Sequence, residues 1–194
     1  MKKKTIAAAI AALMLPAAAI AADADGVLAA DKNLSYTFGE LAYHDLDAAG
    51  ASVDGLGVEG SYEFTDMFFG FASFDDIGGE GYDSTTLTVG VGAAIGLTDK
   101  VDGYGKLGIV QNDTSFGPSE TDDSGFGLEF GVRAMAAENI EVFGDIQYVD
   151  IYEDSQTGFE LGGRYWMNQD LGFSLAYTDV EDSDGLVLAA RYHF

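Results

Sequence analysis

The residues best suited to chemistry in this chain are charged side chains that recur at a fixed spacing. Residues 127–133 and residues 158–164 share the pattern G-x-E-x-G-x-R. The charged positions of the two copies are Glu129, Arg133, Glu160 and Arg164. Carboxylates and guanidinium groups form strong, often bidentate pairs, and rings of charged side chains also select ions in pores. The repeat therefore indicates either a structural ion-pair network or a selective lining.

Histidine chemistry has one candidate position. His44 is next to Asp45 and close to Asp47, and a carboxylate can orient a histidine that acts as a general base. Nothing in the sequence identifies a nucleophile or a substrate pocket beside it. The other histidine, His193, falls at the end of the last predicted strand. We therefore predict that the protein is not an enzyme, and a membrane hydrolase that uses His44 is the weaker alternative.

Carboxylates are concentrated in five stretches, near residues 45–52, 75–84, 111–124, 150–156 and 179–185. Carboxylate clusters suit hard divalent cations, but runs of charge are more often solvated surface. The last stretch contains Asp179, Glu181, Asp182 and Asp184. It lacks the 12-residue frame and the closing Glu of a calcium-binding loop. We predict no cofactor and no metal site, with loosely bound Ca²⁺ or Mg²⁺ at the acidic stretches as the alternative.

Composition excludes one class of partner. The 194 residues include 9 Lys and Arg against 33 Asp and Glu, for a net charge of −24. A protein that binds nucleic acid needs a basic surface, so nucleic acid is excluded as a partner. The chain has no cysteine and therefore relies on no disulfide.

The N-terminus has the pattern of a secretory signal peptide. Three lysines precede an Ala-rich apolar segment, and Ala19-Ile20-Ala21 has the small-x-small form of a cleavage site. We predict a signal peptide over 1–21, a periplasmic extension over 22–32 and the folded domain over 33–194. Removing the signal peptide leaves 6 basic residues against 33 acidic ones, a charge of −27.

The mature chain shows the two-residue period of β-strands. From Leu186 to Phe194, even-numbered positions are apolar or aromatic, whereas Arg191 and His193 are on the opposite face. In lipid only helices and closed barrels satisfy every backbone group, and barrel strands alternate apolar with polar residues. We predict an all-β fold, an up-and-down antiparallel transmembrane β-barrel of ten strands, with eight as the alternative. Tight turns and longer acidic loops are expected to alternate.

The register assigns nine charged side chains to the barrel interior: Glu59, Lys106, Glu129, Arg133, Glu141, Asp145, Glu160, Arg164 and Arg191. A slip of one residue would turn each of them toward lipid, at about 2–4 kcal/mol for each Arg or Lys at the bilayer midplane. Barrels of about eight strands are filled by side chains, whereas open channels appear at about 16 strands. Ten strands are nearer the filled case, so we predict a lumen plugged by these charges. The register of the first and third strands is left open.

Aromatic residues near strand ends predict two membrane-interface girdles. The residues assigned to them are Tyr43, Phe74, Tyr82, Tyr152, Tyr177, Phe64, Trp166, Tyr192 and Phe194.

Two resemblances add to this reading. The last strand, with Tyr192 and the terminal Phe194, resembles the carboxy-terminal signal of bacterial outer-membrane barrels, which implies recognition by the barrel-assembly machinery. The phrases 33–36, 55–62 and 139–144 resemble the small Ax-type, diffusible-signal-factor-regulated outer-membrane proteins, whose architecture is similar to OmpA/OmpX-like barrels. The resemblance implies the outer membrane of a Gram-negative bacterium, partial release in vesicles, and roles in motility, biofilm or virulence. It supplies no catalytic motif.

The function that we predict is that of a non-enzymatic surface barrel which contributes to envelope integrity or surface contacts. Its expected surroundings are outer-membrane lipid and lipopolysaccharide, and it is expected to be a monomer. The alternative is a narrow, porin-like channel for small solutes or ions.

Overall fold

A computed structural model of the chain describes residues 34–48, 51–79, 81–152, 154–181 and 183–194. The predicted signal peptide, 1–21, and the predicted extension, 22–32, lie outside the described residues. Within the described ranges the chain forms ten strands and no helix. The strands are β1 (Phe38–Ala48), β2 (Ala51–Glu63), β3 (Phe68–Gly79), β4 (Tyr82–Thr98), β5 (Val101–Phe116), β6 (Ser119–Ala137), β7 (Ile140–Ile151), β8 (Asp154–Trp166), β9 (Leu171–Val180) and β10 (Ser183–His193).

The ten strands form one closed antiparallel barrel. Each strand pairs with its sequence neighbours, and β1 pairs with β10 to close the ring. The predicted all-β, up-and-down barrel is therefore confirmed, with ten strands rather than eight. We call the end with Phe38 and His193 the terminal end, and the opposite end the distal end. No helix among the described residues is long and apolar enough to cross a membrane.

Burial alternates along the strands as the two-residue period requires. In β10, Leu186 and Leu188 are exposed on the outer face, whereas Val187, Ala189 and Arg191 are buried on the inner face. The outer face carries many exposed large apolar side chains, among them Leu56, Val58, Phe74, Leu107, Ile109, Phe130, Leu175 and Leu188. Since an apolar exterior of this extent is unfavourable in water, the barrel wall is suited to lipid.

The structure settles the register of the first and third strands. Glu40 of β1 faces the lumen, as do Phe69 and Phe71 of β3. The ring of Phe69 fits because the neighbouring strand carries Gly92, where a Cβ atom would meet that ring. Small residues on one strand thus make room for aromatic rings on the next, and this pairing fixes which face of β3 is internal.

The expectation of long acidic loops at the distal end is wrong. At each of the five distal connections only two residues separate the strands, and most of the acidic stretches belong to strands. For example, residues 111–116 continue β5, and residues 119–124 continue β6. Because strand side chains project from the two faces of the sheet and not into the backbone ladder, acidic side chains there extend into solvent without breaking the ladder. The turns instead use residues with positive φ, namely Gly81, Gly117, Tyr152 and Glu181.

Candidate functional site

The lumen at the terminal end is crossed by a layer of ion pairs, which we call the floor: Glu40, Arg133, Glu141, Arg164 and Arg191. Glu141 is fully buried at its centre. Arg133 forms a bidentate ion pair with it, with Nε 2.7 Å from Oε1 and Nη2 3.2 Å from Oε2. Arg164 Nη1 donates to the same Oε1 at 3.2 Å. One carboxylate from β7 therefore joins arginines from both neighbouring strands.

Glu40 extends the floor across the β1–β10 seam. Its carboxylate accepts hydrogen bonds from Arg164 Nη2 at 2.9 Å and from Arg191 Nε at 2.6 Å. Arg191 also lies over the ring of Phe38, at 3.6 Å from its centroid. Three guanidinium groups thus share two carboxylates. A buried charge persists only when it is paired, and each of these charges has a partner.

Trp166 completes the floor from the inside of the barrel. Its indole Nε1 donates to Glu141 Oε2 at 3.0 Å, and its ring packs against His193. Its assignment to a membrane-interface girdle is therefore wrong. The same correction applies to Tyr82 and Tyr152, which line the lumen. Trp166 is turned inward because it is two residues after the inward Arg164, so the two-residue period itself would have placed it there.

On the other side of the terminal end, residues that precede β1 pack inside the barrel. We call Leu34–Thr37 the N-terminal strap. Tyr36 is 2% exposed and stacks on Phe69 with the ring centroids 4.9 Å apart. Arg133 ties the strap to the floor, because its Nη1 donates to the carbonyl oxygen of Ser35 at 3.0 Å. The sequence pattern includes this stretch in the first predicted strand and does not predict its packing inside the barrel.

A second charged layer lies deeper in the barrel and is predominantly acidic. Lys106 Nζ is 3.1 Å from Glu59 Oε1 and 3.3 Å from Glu129 Oε1. Asp145 of β7 is buried and lies directly opposite Glu160 of β8. Asp145 accepts hydrogen bonds from the Tyr104 hydroxyl at 3.3 Å and from Gln147 at 3.1 Å. This middle layer therefore sets four carboxylates around one ammonium group.

The structure places all nine sequence-predicted interior residues on the luminal face, but the glutamates and arginines of the repeat do not pair with one another. Glu129 and Glu160 do not meet Arg133 and Arg164. Residues four positions apart on a strand are separated by about 13 Å, so the Glu and the Arg of each repeat lie in different layers. The arginines instead meet Glu141 and Glu40. Glu40 was missed because the register of the first strand was open.

The lumen forms a cavity of about 610 Å³ that extends from the floor, past the middle layer, to the distal end. Its upper wall is lined by hydroxyl and amide groups, including Ser84, Thr86, Asn112, Thr114 and Thr178. Asn112 is the centre of a small network, because its Nδ2 donates to Thr86 Oγ1 at 2.8 Å. Its Oδ1 accepts from the Tyr152 hydroxyl at 2.7 Å. The cavity also has apolar lining residues, among them Val110 and Val149, and it ends at the floor.

His44 does not form the catalytic pair that its sequence neighbours suggest. It faces the lumen with Nε2 3.3 Å from Asp75 Oδ1, whereas Asp45 and Asp47 are exposed on the outer face of the same strand. Successive strand residues point to opposite faces, which is why adjacency in sequence does not bring these groups together.

The distal acids do not form a ligand cage. Asp45, Asp47, Asp54, Asp179 and Asp184 form a band on the outer face, which we call the aspartate band. Asp184 is directly opposite both Asp47 and Asp179, and Asp45 is opposite Asp54. Glu181 lies in the β9–β10 turn, and Asp182 lies outside the described residues. Among the residues that the structure describes, no three His, Asp or Glu side chains are grouped to hold a metal ion.

Tyrosine hydroxyls connect this band to the apolar wall below it. Tyr177 donates to Asp184 Oδ2 at 3.1 Å, and Tyr43 is 3.4 Å from Asp54 Oδ2. At the other end of the barrel, Tyr192 and Phe194 are exposed on the outer side. Amphipathic rings at the two ends of an apolar wall match the girdles of membrane barrels.

A closed ten-stranded ring with an apolar exterior and a charged interior defines a transmembrane β-barrel of the bacterial outer-membrane type. The chain belongs to the family of the outer membrane protein beta-barrel domain, whose model matches residues 5–178. No curated protein matches the sequence.

Solved structures of similar fold include the NanC porin, with 8% identity, a TM-score of 0.52, and coverage of 80% of this chain and 100% of that one. The beta domain of the Bordetella autotransporter Brka has 12% identity and a TM-score of 0.52, over 81% of this chain and 98% of that one. The N-terminal barrel domain of Pseudomonas aeruginosa OprF has 12% identity and a TM-score of 0.46, over 82% and 100%. At these identities the likeness concerns the fold alone.

Proposed function

We propose that the protein is a non-enzymatic outer-membrane barrel whose lumen is closed to ion flow at its terminal end. In this proposal the terminal end faces the periplasm and the distal end faces the outside. The barrel contributes to envelope integrity or to contacts outside the cell. The observation that carries the proposal is Glu141, which is fully buried and held by Arg133 and Arg164.

A floor of this kind resists opening because its charges depend on one another. Removing one partner of a buried ion pair strands the other charge, at about 3–5 kcal/mol. Each carboxylate here serves two arginines, so displacing either one disrupts several pairs at once. The ring of Phe143 adds to the barrier, because the Arg164 guanidinium lies over it at 5.0 Å.

Conductance across a planar lipid bilayer tests the closed lumen. The refolded wild type should give no steps, and the double variant Arg133→Ala/Arg164→Ala should leak. Lys106→Ala is the matched control, since it removes a luminal cation from the middle layer and leaves the floor intact. Steady conductance steps in the wild type would contradict the proposal of a closed lumen.

A narrow channel for small solutes or ions is the second candidate, and one observation favours it. The cavity of about 610 Å³ has room for water and small ions over much of the barrel length. Ion-selective steps in the wild-type protein would establish this function instead.

The external role is proposed from the charge of the distal end and from the Ax-type resemblance. The aspartate band would face lipopolysaccharide, and phosphate groups would repel it unless Ca²⁺ or Mg²⁺ came between them. We further propose a monomer that is inserted by the barrel-assembly machinery through Tyr192 and Phe194 and is released partly in vesicles. Loss of the protein would then change motility, biofilm formation or virulence.

A further inference from the structure

The terminal end of the barrel is closed by two different kinds of structure. The floor spans β6, β7, β8, β10 and β1, where its five charged residues originate. The arc from β2 to β5 contributes Ser61, Phe69, Ala94 and Asp102 at this level. Over that arc the lumen is closed by the N-terminal strap, which packs against Phe69 and Ala94 through Leu34 and Tyr36.

The strap is attached in a way that allows it to leave without unfolding the wall. The Leu34 amide donates to Asp102 Oδ2 at 2.8 Å, and the Tyr36 amide donates to Glu63 Oε1. The Tyr36 carbonyl oxygen accepts from Ser61 Oγ at 2.6 Å. Each of these bonds joins one backbone group to one side chain. Releasing the strap therefore breaks none of the strand-to-strand backbone bonds that hold the barrel closed.

The space behind the strap is lined by an excess of negative charge. Glu59 and Asp75 lie on the arc behind the strap, and Glu129 of β6 lies beside it. Lys106 is the cation among these three carboxylates, whereas Arg133, Arg164 and Arg191 are paired within the floor. Rings of carboxylates favour cations in pores. A passage opened beside the floor would therefore admit small cations in preference to anions.

We propose that the N-terminal strap is a gate, and that its withdrawal from the arc of β2 to β5 opens a narrow cation-selective passage through the barrel. The inference rests on the proposed closed lumen and adds which part of the closure moves. The floor is the fixed part, because its charges hold one another from strands of the wall. The strap is the removable part, because it is held by side-chain hydrogen bonds, including the one from Arg133 to the Ser35 carbonyl oxygen, and by the packing of the Tyr36 ring against Phe69 and Arg133.

The gate is tested by removing the Tyr36 ring and recording single-channel currents of the full-length mature protein. Tyr36→Ala should give conductance steps where the wild type gives none, with a reversal potential in a KCl gradient that reports cation selectivity. Tyr62→Ala is the matched control. It removes the same ring near the same end of the barrel, but from the exposed outer face. Tyr62→Ala should stay silent.

A second strap variant distinguishes opening of the gate from misfolding of Tyr36→Ala. Ser61→Ala/Asp102→Asn keeps every ring and weakens two tethers of the strap, so it should open intermittently with the same selectivity. Silence of both strap variants, in folded protein whose Arg133→Ala/Arg164→Ala counterpart leaks, would refute the gate and leave the closed lumen standing. Currents in the wild type would refute the closed lumen itself. Anion-selective openings would refute the passage lined by carboxylates.

Discussion

Glu141 is the residue on which the stability of the floor depends most. Its carboxylate is fully buried and serves Arg133, Arg164 and Trp166. Glu141→Gln should lower the free energy of unfolding by about 3–5 kcal/mol, because two buried guanidinium groups lose their shared counter-charge. Urea unfolding in detergent micelles, followed by the fluorescence of Trp166, the single tryptophan of the chain, measures the change.

Glu138→Gln provides the comparison, since Glu138 lies in the tight turn just before β7 and is exposed. It should change the unfolding free energy by no more than about 0.5 kcal/mol, as surface substitutions usually do. Equal effects of the two substitutions would mean that the Glu141 pairs contribute no more to stability than an exposed charge does.

Residue identity and period were enough to assign the luminal charges to one face, and not enough to assign their partners. The two-residue period turns Glu129 and Arg133 inward together, whereas the stagger between strands decides which residue stands beside each of them. Glu141 lies beside Arg133 because β6 has a register irregularity after Met135, which no periodicity shows. The strap was not predicted for a related reason. Tyr36 follows the two-residue alternation of β1 although it precedes the strand, so the period does not separate the strap from β1.

At the scale of elements, the fit between β3 and β4 depends on a glycine opposite a ring. A Cβ at Gly92 would collide with Phe69, which is fully buried and stacked on Tyr36. Gly92→Ala should therefore destabilise the barrel by about 1–3 kcal/mol, the usual effect of overpacking. The same substitution at Gly60 meets no atom within 4 Å and should be nearly neutral. Thermal unfolding of the two variants measures the difference.

Adding Phe69→Leu to Gly92→Ala should recover part of the loss, because the smaller side chain leaves room for the new methyl group. Additive destabilisation in the double variant would show that the ring and the glycine do not interact, and that the register of β3 is fixed by other contacts.

The strands were predictable and the lengths of the connections were not, and the reason is physical. An apolar residue at every second position is required on a wall in contact with lipid, so the period appears in the sequence and the fold class follows. Where the strands extend beyond the apolar wall, solvent reaches both faces of the sheet. The sequence there has no apolar period that would distinguish a strand from a loop. The polar residues 111–116 and 119–124 look like a loop but continue β5 and β6, since paired backbones tolerate acidic side chains in water.

At the scale of the whole molecule, the dominant property is a net charge of −24, with no basic residue in the aspartate band. Like charges directly opposite each other on paired strands are destabilising, by about 0.2–1 kcal/mol. Asp184 stands between Asp47 and Asp179. Asp184→Asn should therefore stabilise the barrel by about that amount at low ionic strength, and it keeps an acceptor for the Tyr177 hydroxyl.

Salt dependence separates repulsion from bound cations in this band. The Debye length falls from about 30 Å at 0.01 M salt to about 3 Å at 1 M, so the gain from Asp184→Asn should shrink as NaCl rises in urea unfolding with EDTA present. Repeating the series with millimolar Mg²⁺ in place of EDTA tests the cations. If Asp184→Asn destabilises the protein only when Mg²⁺ is present, the carboxylate holds a cation, and the band binds divalent ions. If it stabilises the protein equally under both conditions, the band is a solvated surface whose repulsion the barrel tolerates.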